Sequence, residues 1–234
     1  MSELGHSRQN WAALVMSELP AVATVGSDIP VRRFRANCRP SSRSFKIDLP
    51  VKCGRRKGDM GFRMSWIGFT GKGKTSALEM VGLKDTGEPD ELYEAPFSGA
   101  EIPGGWFILF ANDFLFVSRE RLARLSVDCC IVACQVHEGT MVSAAYGYER
   151  GNRVWELVHN AQQGIYDLSV SGSPPPSFEA IRQRLMQKQE TTADDDVDFI
   201  FDIPVEVAAA VCKYRYGHLK FDWGTAQFTR LDVR

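Results

Sequence analysis

The sharpest chemical signal in the chain is Gly68-Phe69-Thr70-Gly71-Lys72-Gly73-Lys74-Thr75, which meets the phosphate-binding pattern G-x-x-x-x-G-K-T at every fixed position. In such a loop Gly68, Gly71 and Gly73 let backbone N–H groups wrap the phosphates of ATP or GTP. Lys74 reaches the terminal phosphates, and Thr75 holds magnesium. The motif sits between a strand-like run, residues 65–69, and a helix-like run, residues 76–83. A nucleotide site of this class also needs a parallel sheet of βα units and an apolar strand ending in an aspartate. Asp113 follows the apolar residues 106–110 only after Ala111-Asn112, and Asp202 ends a run already interrupted by Asp198. The leading expectation is therefore a glycine-rich turn feeding a capped helix, with Lys72 and Lys74 solvated. Nucleotide binding is the alternative.

A second constellation lies in three β-rich stretches, residues 129–137, 141–149 and 153–159. The links between them, His-Glu-Gly-Thr and Arg150-Gly151-Asn152, suit tight hairpins and so force antiparallel pairing. With a loop centred on Arg150-Gly151-Asn152, Val142, Ala144, Tyr146 and Tyr148 are expected to share a face with Trp155, Leu157 and His159. On the first stretch Cys130, Val132, Cys134 and Val136 form an apolar row, expected to be core, while Ile131, Ala133, Gln135 and His137 form a mixed one. If strand order follows chain order, His137 and His159 approach one rim with Glu138 beside them. A His/Glu pair of that kind can do acid–base work in a hydrolase or bind metal. A histidine on an aromatic face is more commonly a packed residue with one hydrogen bond, and His137, Glu138, His159, Trp155 and Tyr146 are taken as ligand-binding candidates. Strand alternation keeps Cys129, Cys130 and Cys134 from converging on a metal, so they read as small core hydrophobes and no metal site is expected.

The elements that would hold these residues follow from punctuation and periodicity. Residues 65–69 and 106–110 read as strands. Residues 76–83 read as a helix with Ser76 and Glu79 in capping-box spacing, and Ser118 caps a helix over 119–125. A strand is expected at 165–170. Pro174-Pro175-Pro176-Ser177 opens a helix with Phe178, Ile181 and Leu185 on one side, and another begins at Pro204 with Asp202 as its cap. The acidic runs 85–94 and 194–196 have no calcium-loop register and read as solvated loops. This order predicts an α+β fold: a mainly antiparallel sheet with three to four short helices packed largely on one face.

Charge divides the chain. Residues 1–63 carry 12 Lys/Arg against 5 Asp/Glu, and residues 64–234 carry 16 against 24. The first segment scatters its arginines among Pro, Ser and Gly without any periodicity to pack, and reads as an extension to a single domain over 64–234. An acidic domain has no general attraction for phosphate backbones, so nucleic acid is not expected as its partner. The six cysteines form no CxxC pair and no secreted framework, which reads as reduced thiols in the cytoplasm. The best apolar window, residues 11–25, is broken by Glu18 and Pro20, so no membrane span is expected, and Ala21-Val22-Ala23 is a weak cleavage signal.

The opening segment, with Met-Ser-Glu-Leu at Met1 and again at Met16, resembles the conceptual translation of a repeated DNA element that precedes many unrelated bacterial genes. That resemblance implies a native start at Met60 or Met64. The competing reading is a basic arm for nucleic acid or membrane. Residues 64–234 resemble a family of small bacterial α+β proteins with no assigned activity. The resemblance rests on MSWIGF, Gly104-Gly105-Trp106, Val136-His137-Glu138, Val154-Trp155-Glu156-Leu157-Val158-His159 and Asp198-Phe199-Ile200-Phe201-Asp202-Ile203-Pro204. It implies a fold and no chemistry. Val136 stands where the family carries an acidic residue, which weakens a paired-carboxylate site there. The function expected is that of a non-enzymatic binding protein holding a protein or small-molecule partner.

Overall fold

Arg63–Thr70, with its tryptophan, isoleucine, phenylalanine and threonine, suits extended backbone and forms β1. In the computed structural model, which describes residues 61–192, 197–218 and 220–234, it lies at the middle of one nine-stranded sheet. Segment 1–60, with Cys38, Cys53 and both Met-Ser-Glu-Leu copies, and the acidic run 194–196 lie outside the described residues. Every residue of β1 from Met64 on is buried, because both of its faces are covered. That is why it reads as a continuous apolar run and shows no alternation.

The other strands are β2 (Leu83–Pro89), β3 (Phe97–Ile102), β4 (Trp106–Ala111), β5 (Cys130–His137), β6 (Val142–Glu149), β7 (Asn152–Asn160), β8 (Leu168–Gly172) and β9 (Thr229–Val233). Their order is β2-β9-β3-β4-β1-β5-β6-β7-β8, and every neighbouring pair is antiparallel. The helices are α1 (Lys74–Val81), α2 (Arg119–Leu125), α3 (Phe178–Thr191) and α4 (Asp202–Cys212). This is the α+β architecture that the short hairpin links require. On one face α4 lies against β5, β6 and β7, with α3 packed on α4. On the other, α2 touches β5 and β6.

Local signals hold at some ends and fail at others. Ser118 caps α2 as expected, its Oγ accepting from the Arg121 N–H at 3.2 Å. The capping box proposed for Ser76 and Glu79 does not form. The first helix begins earlier, at Lys74, with Gly73 as an N-cap that offers no side chain, and it ends on Gly82 at φ 71°. Asp202 is the first residue of α4, not its cap, and its carboxylate is taken by Arg215 at 2.8 Å. The Phe201 N–H is instead held by Asp198 Oδ1 at 3.0 Å, three residues earlier. The acidic run 85–94, expected as loop, is half strand. β9 supplies β2 with a backbone partner, and Asp90 is buried with its carboxylate accepting from the Glu94 and Ala95 N–H groups and from Ser98 Oγ.

The central hairpin departs from its expected register. β6 and β7 are joined by a two-residue turn in which Arg150 (φ 52°) and Gly151 (φ 77°) both have left-handed backbone, the signature of a type I′ hairpin. One residue later the register slips. Tyr148 faces Arg153, but Gly147 faces Trp155, leaving Val154 as an extra residue in β7. Because side chains alternate, that bulge moves the rest of β7 to the opposite side of the sheet from the expectation. Tyr146 faces Glu156, and Trp155 shares no face with Tyr146 or Tyr148. The physical reason is room: a Cβ at residue 147 would overlap the indole of Trp155, so the ring is seated on the one residue of β6 opposite it that has no side chain.

Candidate functional site

The phosphate-loop pattern does not become a phosphate loop. Gly68 lies inside β1, paired to Ile108 and Val132, and the strand runs on through Thr70. Only residues 71–73 separate it from α1, too few to wrap a phosphate chain. Lys74 is in an ion pair with Asp85 of β2, Nζ to Oδ2 2.5 Å, and Lys72 faces Asp128 at 3.5 Å. Gly71, Gly73 and Thr75 sit at an exposed corner, and among the described residues no second apolar strand directs an aspartate toward them.

The two histidines also part company. His137 faces Val142, which faces Asn160, whereas His159 faces Ser143, which faces Val136. They therefore point to opposite sides of the sheet and share no rim, a direct result of the bulge in β7. His137 stands edge-on to Phe114 at 5.8 Å, and its Nδ1 is buried without a hydrogen-bond partner among the described residues. Glu138 is engaged elsewhere: Oε1 accepts from the Tyr216 hydroxyl at 3.1 Å, and Oε2 from the Phe62 N–H at 2.8 Å. Burial first, then that carboxylate, drives the Tyr216 phenol far above its ordinary pKa.

His159 is fully buried and fully committed. Nδ1 meets the Asp167 carbonyl at 2.6 Å, and Nε2 meets Asp198 Oδ2 at 2.8 Å. A carbonyl can only accept, so Nδ1 is placed to donate to it, and the Asp198 carboxylate favours a proton on Nε2 as well. Burial by itself would lower this imidazole's pKa, but the Asp198 carboxylate and the Asp167 carbonyl outweigh it and raise it. The pair clips the entry of α4 to β7. It is a structural lock.

The cluster that sequence reasoning missed lies on the opposite face of the same strand. Glu156 is 6% exposed, and both of its oxygens are taken. Oε1 accepts from Arg119 at 3.0 Å (Nε) and 2.7 Å (Nη2), and Oε2 accepts from Arg153 Nη1. Arg119 comes from the first turn of α2, where the Ser118 cap fixes its backbone, and its pKa is raised by the bond to Glu156. Across the sheet one row runs Ala133, Tyr146, Glu156, Ser171 and the next runs Gln135, Ala144, Val158, Ser169. The outer members of these rows, Glu156, Val158, Ser169 and Ser171, floor a cleft of about 320 Å³ between α2 and β8, with Arg119 and Asp167 on its walls. Burial, then the Glu156 charge, pushes the Tyr146 phenol up to about 12, so it remains a protonated neighbour of that carboxylate. The Ser171 Oγ is buried without a hydrogen-bond partner among the described residues. One buried carboxylate thus fixes two guanidinium groups, that of Arg119 at the wall of a polar cleft and that of Arg153 beside the cleft's floor at Glu156, and the Arg119 side chain is 68% exposed. Of the expected site residues only Tyr146 belongs here. Arg119 and Glu156 are 37 positions apart, and no local pattern links them.

Thiol chemistry is damped by burial. Desolvation lifts Cys130 to about 11 and Cys129 and Cys212 to about 12, and drives Cys134 higher still. All four are free thiols. Among the described residues no group of three or more His, Cys, Asp or Glu side chains is placed to hold a metal ion, and no helix is long and apolar enough to cross a membrane. Comparison of the chain with protein-family models, with curated proteins and with solved structures finds no match.

Proposed function

We propose that this chain is a non-enzymatic binding protein of the cytoplasm, whose partner, a small molecule or a protein segment, docks in the cleft over Glu156. The observation that carries the reading is the Arg119–Glu156–Arg153 cluster, in which a buried carboxylate holds two guanidinium groups ready at a concave polar surface. Preorganisation of this kind lowers the ordering cost of binding, because the donors are already fixed. The groups that catalysis would draw on are occupied instead in holding the fold: both nitrogens of His159, both oxygens of Glu138 and the ammonium of Lys74. Free thiols, among them the adjacent pair Cys129 and Cys130, suit a reducing compartment.

The test is a titration of ¹⁵N-labelled protein with small carboxylates, amino acids and phosphates, and separately with ATP and magnesium. Shift changes should gather on Arg119, Tyr146, Glu156, Ser169 and Ser171. Changes confined to residues 71–75, and seen only with ATP, would replace this reading with the nucleotide one.

A further inference from the structure

The two edges of the sheet are built differently. At one edge β2 carries Lys84, Asp85 and Glu88, slips register between Asp85 and Pro89, and ends in that proline. Charge, bulge and proline are the means by which an edge strand is kept from pairing with another chain. At the other edge β8 reads Leu168-Ser169-Val170-Ser171-Gly172, without a charge or a proline, and pairs among the described residues with β7 alone. Val170 is 44% exposed there. An unguarded edge costs a protein aggregation risk, which selection tolerates where the edge has a partner.

We propose that β8 receives an extended segment of a partner polypeptide as a tenth, antiparallel strand. Opposite Ser171 that segment carries an acidic side chain, and opposite Asp167 a basic one. The proposal rests on the cleft reading above and names its partner. Strand addition supplies affinity through main-chain hydrogen bonds, while alternate side chains enter pockets and set specificity. The alternate residues on the cleft side of β8 are Ser169 and Ser171, with Asp167 just before the strand, and all three line the cleft. At the Ser171 end stand the Arg119 and Arg153 guanidinium groups, gathered on Glu156, the residue paired to Ser171. At the Asp167 end stands a carboxylate, about 13 Å away at roughly 3.3 Å per residue. The cleft is therefore cationic at one end and anionic at the other. An antiparallel guest meets Ser171 first, then Ser169, then Asp167, so its pattern reads acidic, apolar, small polar, apolar, basic. The exposed Val170, on the other face of the edge, packs against the apolar residues in between.

The probe is a fluorescently labelled peptide, Ser-Glu-Val-Thr-Val-Lys-Ser, capped at both ends. Its controls are the charge-reversed Ser-Lys-Val-Thr-Val-Glu-Ser and a copy of the first peptide N-methylated at the two valines, which keeps the side chains but removes backbone donors. Anisotropy titrations against the full chain should show the first peptide binding at least tenfold tighter than either control. Val170→Lys, a surface change expected to leave the melting temperature unmoved, should abolish the difference. Equal affinity of the N-methylated copy would overturn strand addition while leaving the cleft as a binding site. If sedimentation shows a dimer that Val170→Lys disperses, the edge is closed by a second copy and the proposal falls. Failure of every peptide to bind at millimolar concentration, with small carboxylates still shifting Arg119, would also overturn it without touching the cleft.

Discussion

His159 and Glu156 stand three residues apart on β7, both buried and both held by opposite charge, yet they face opposite sides of the sheet and play different parts. On the His159 side the partners come from above and below: Asp198 leads into α4, Asp167 leads into β8, and Phe201 closes the ring edge at 6.4 Å. Nothing of the imidazole is left for a ligand. On the Glu156 side the partners stand at a rim, and the helix that supplies Arg119 is only two turns long and leaves the cleft open. A buried ion pair is thus a lock when helices cover it and a platform when its cationic members reach solvent. The chemistry of the pair does not distinguish the cases; closure does.

The change with the largest expected effect removes what assigns the two sides. Trp155 is 1% exposed and seated on Gly147, on the same side of β7 as His159, and the bulge beside it decides which face Glu156 and His159 each take. Trp155→Ala should cost about 3–5 kcal/mol, read by urea unfolding, as the truncation of a core aromatic does. A loss below about 1 kcal/mol would mean that the bulge does not depend on the indole.

Next in size is the lock. Asp198→Ala leaves the buried His159 without its carboxylate and should destabilise by about 3 kcal/mol, the lower end for breaking a buried pair. Its pH dependence has a defined sign. The His159 pKa is raised on folding, so its stabilisation is fully present below the unfolded value near 6.5 and is lost as pH rises through the folded one. Wild type and His159→Gln should therefore converge in stability as pH rises, and parallel curves from pH 5 to 9 would show that folding leaves the His159 pKa unchanged.

The platform should behave in the opposite way. Arg119 is largely exposed, so Arg119→Ala should change stability by no more than about 1 kcal/mol. It should also remove most of the shift changes that small carboxylates induce at Tyr146 and Ser171. A large stability loss with binding intact would make it a second lock. The smallest effect is expected at Lys74, whose partner is a surface carboxylate. Lys74→Ala should move the melting temperature little, and ATP with magnesium should move it no further in either protein.

Periodicity and turn chemistry were enough to reveal the antiparallel α+β plan, the tight turn at Arg150-Gly151, the Ser118 cap and the apolar helix after Pro204, because each depends on neighbours in the chain. Three strands escaped that reading. β2 is charged, β3 has alternation broken by glycine and alanine, and β9 pairs between β2 and β3 from more than 120 positions away. Whether a polar run is strand or loop there depends on a backbone partner that local pattern does not display. The site was hidden for a related reason. A single extra residue at Val154 exchanges the faces of β7, and its driving force is the fit of the Trp155 ring over Gly147, a contact across strands. Only that packing decided that Glu156 would meet Arg119 in an open cleft while His159 went inward to Asp198, because side-chain alternation turns a one-residue slip into an exchange of faces.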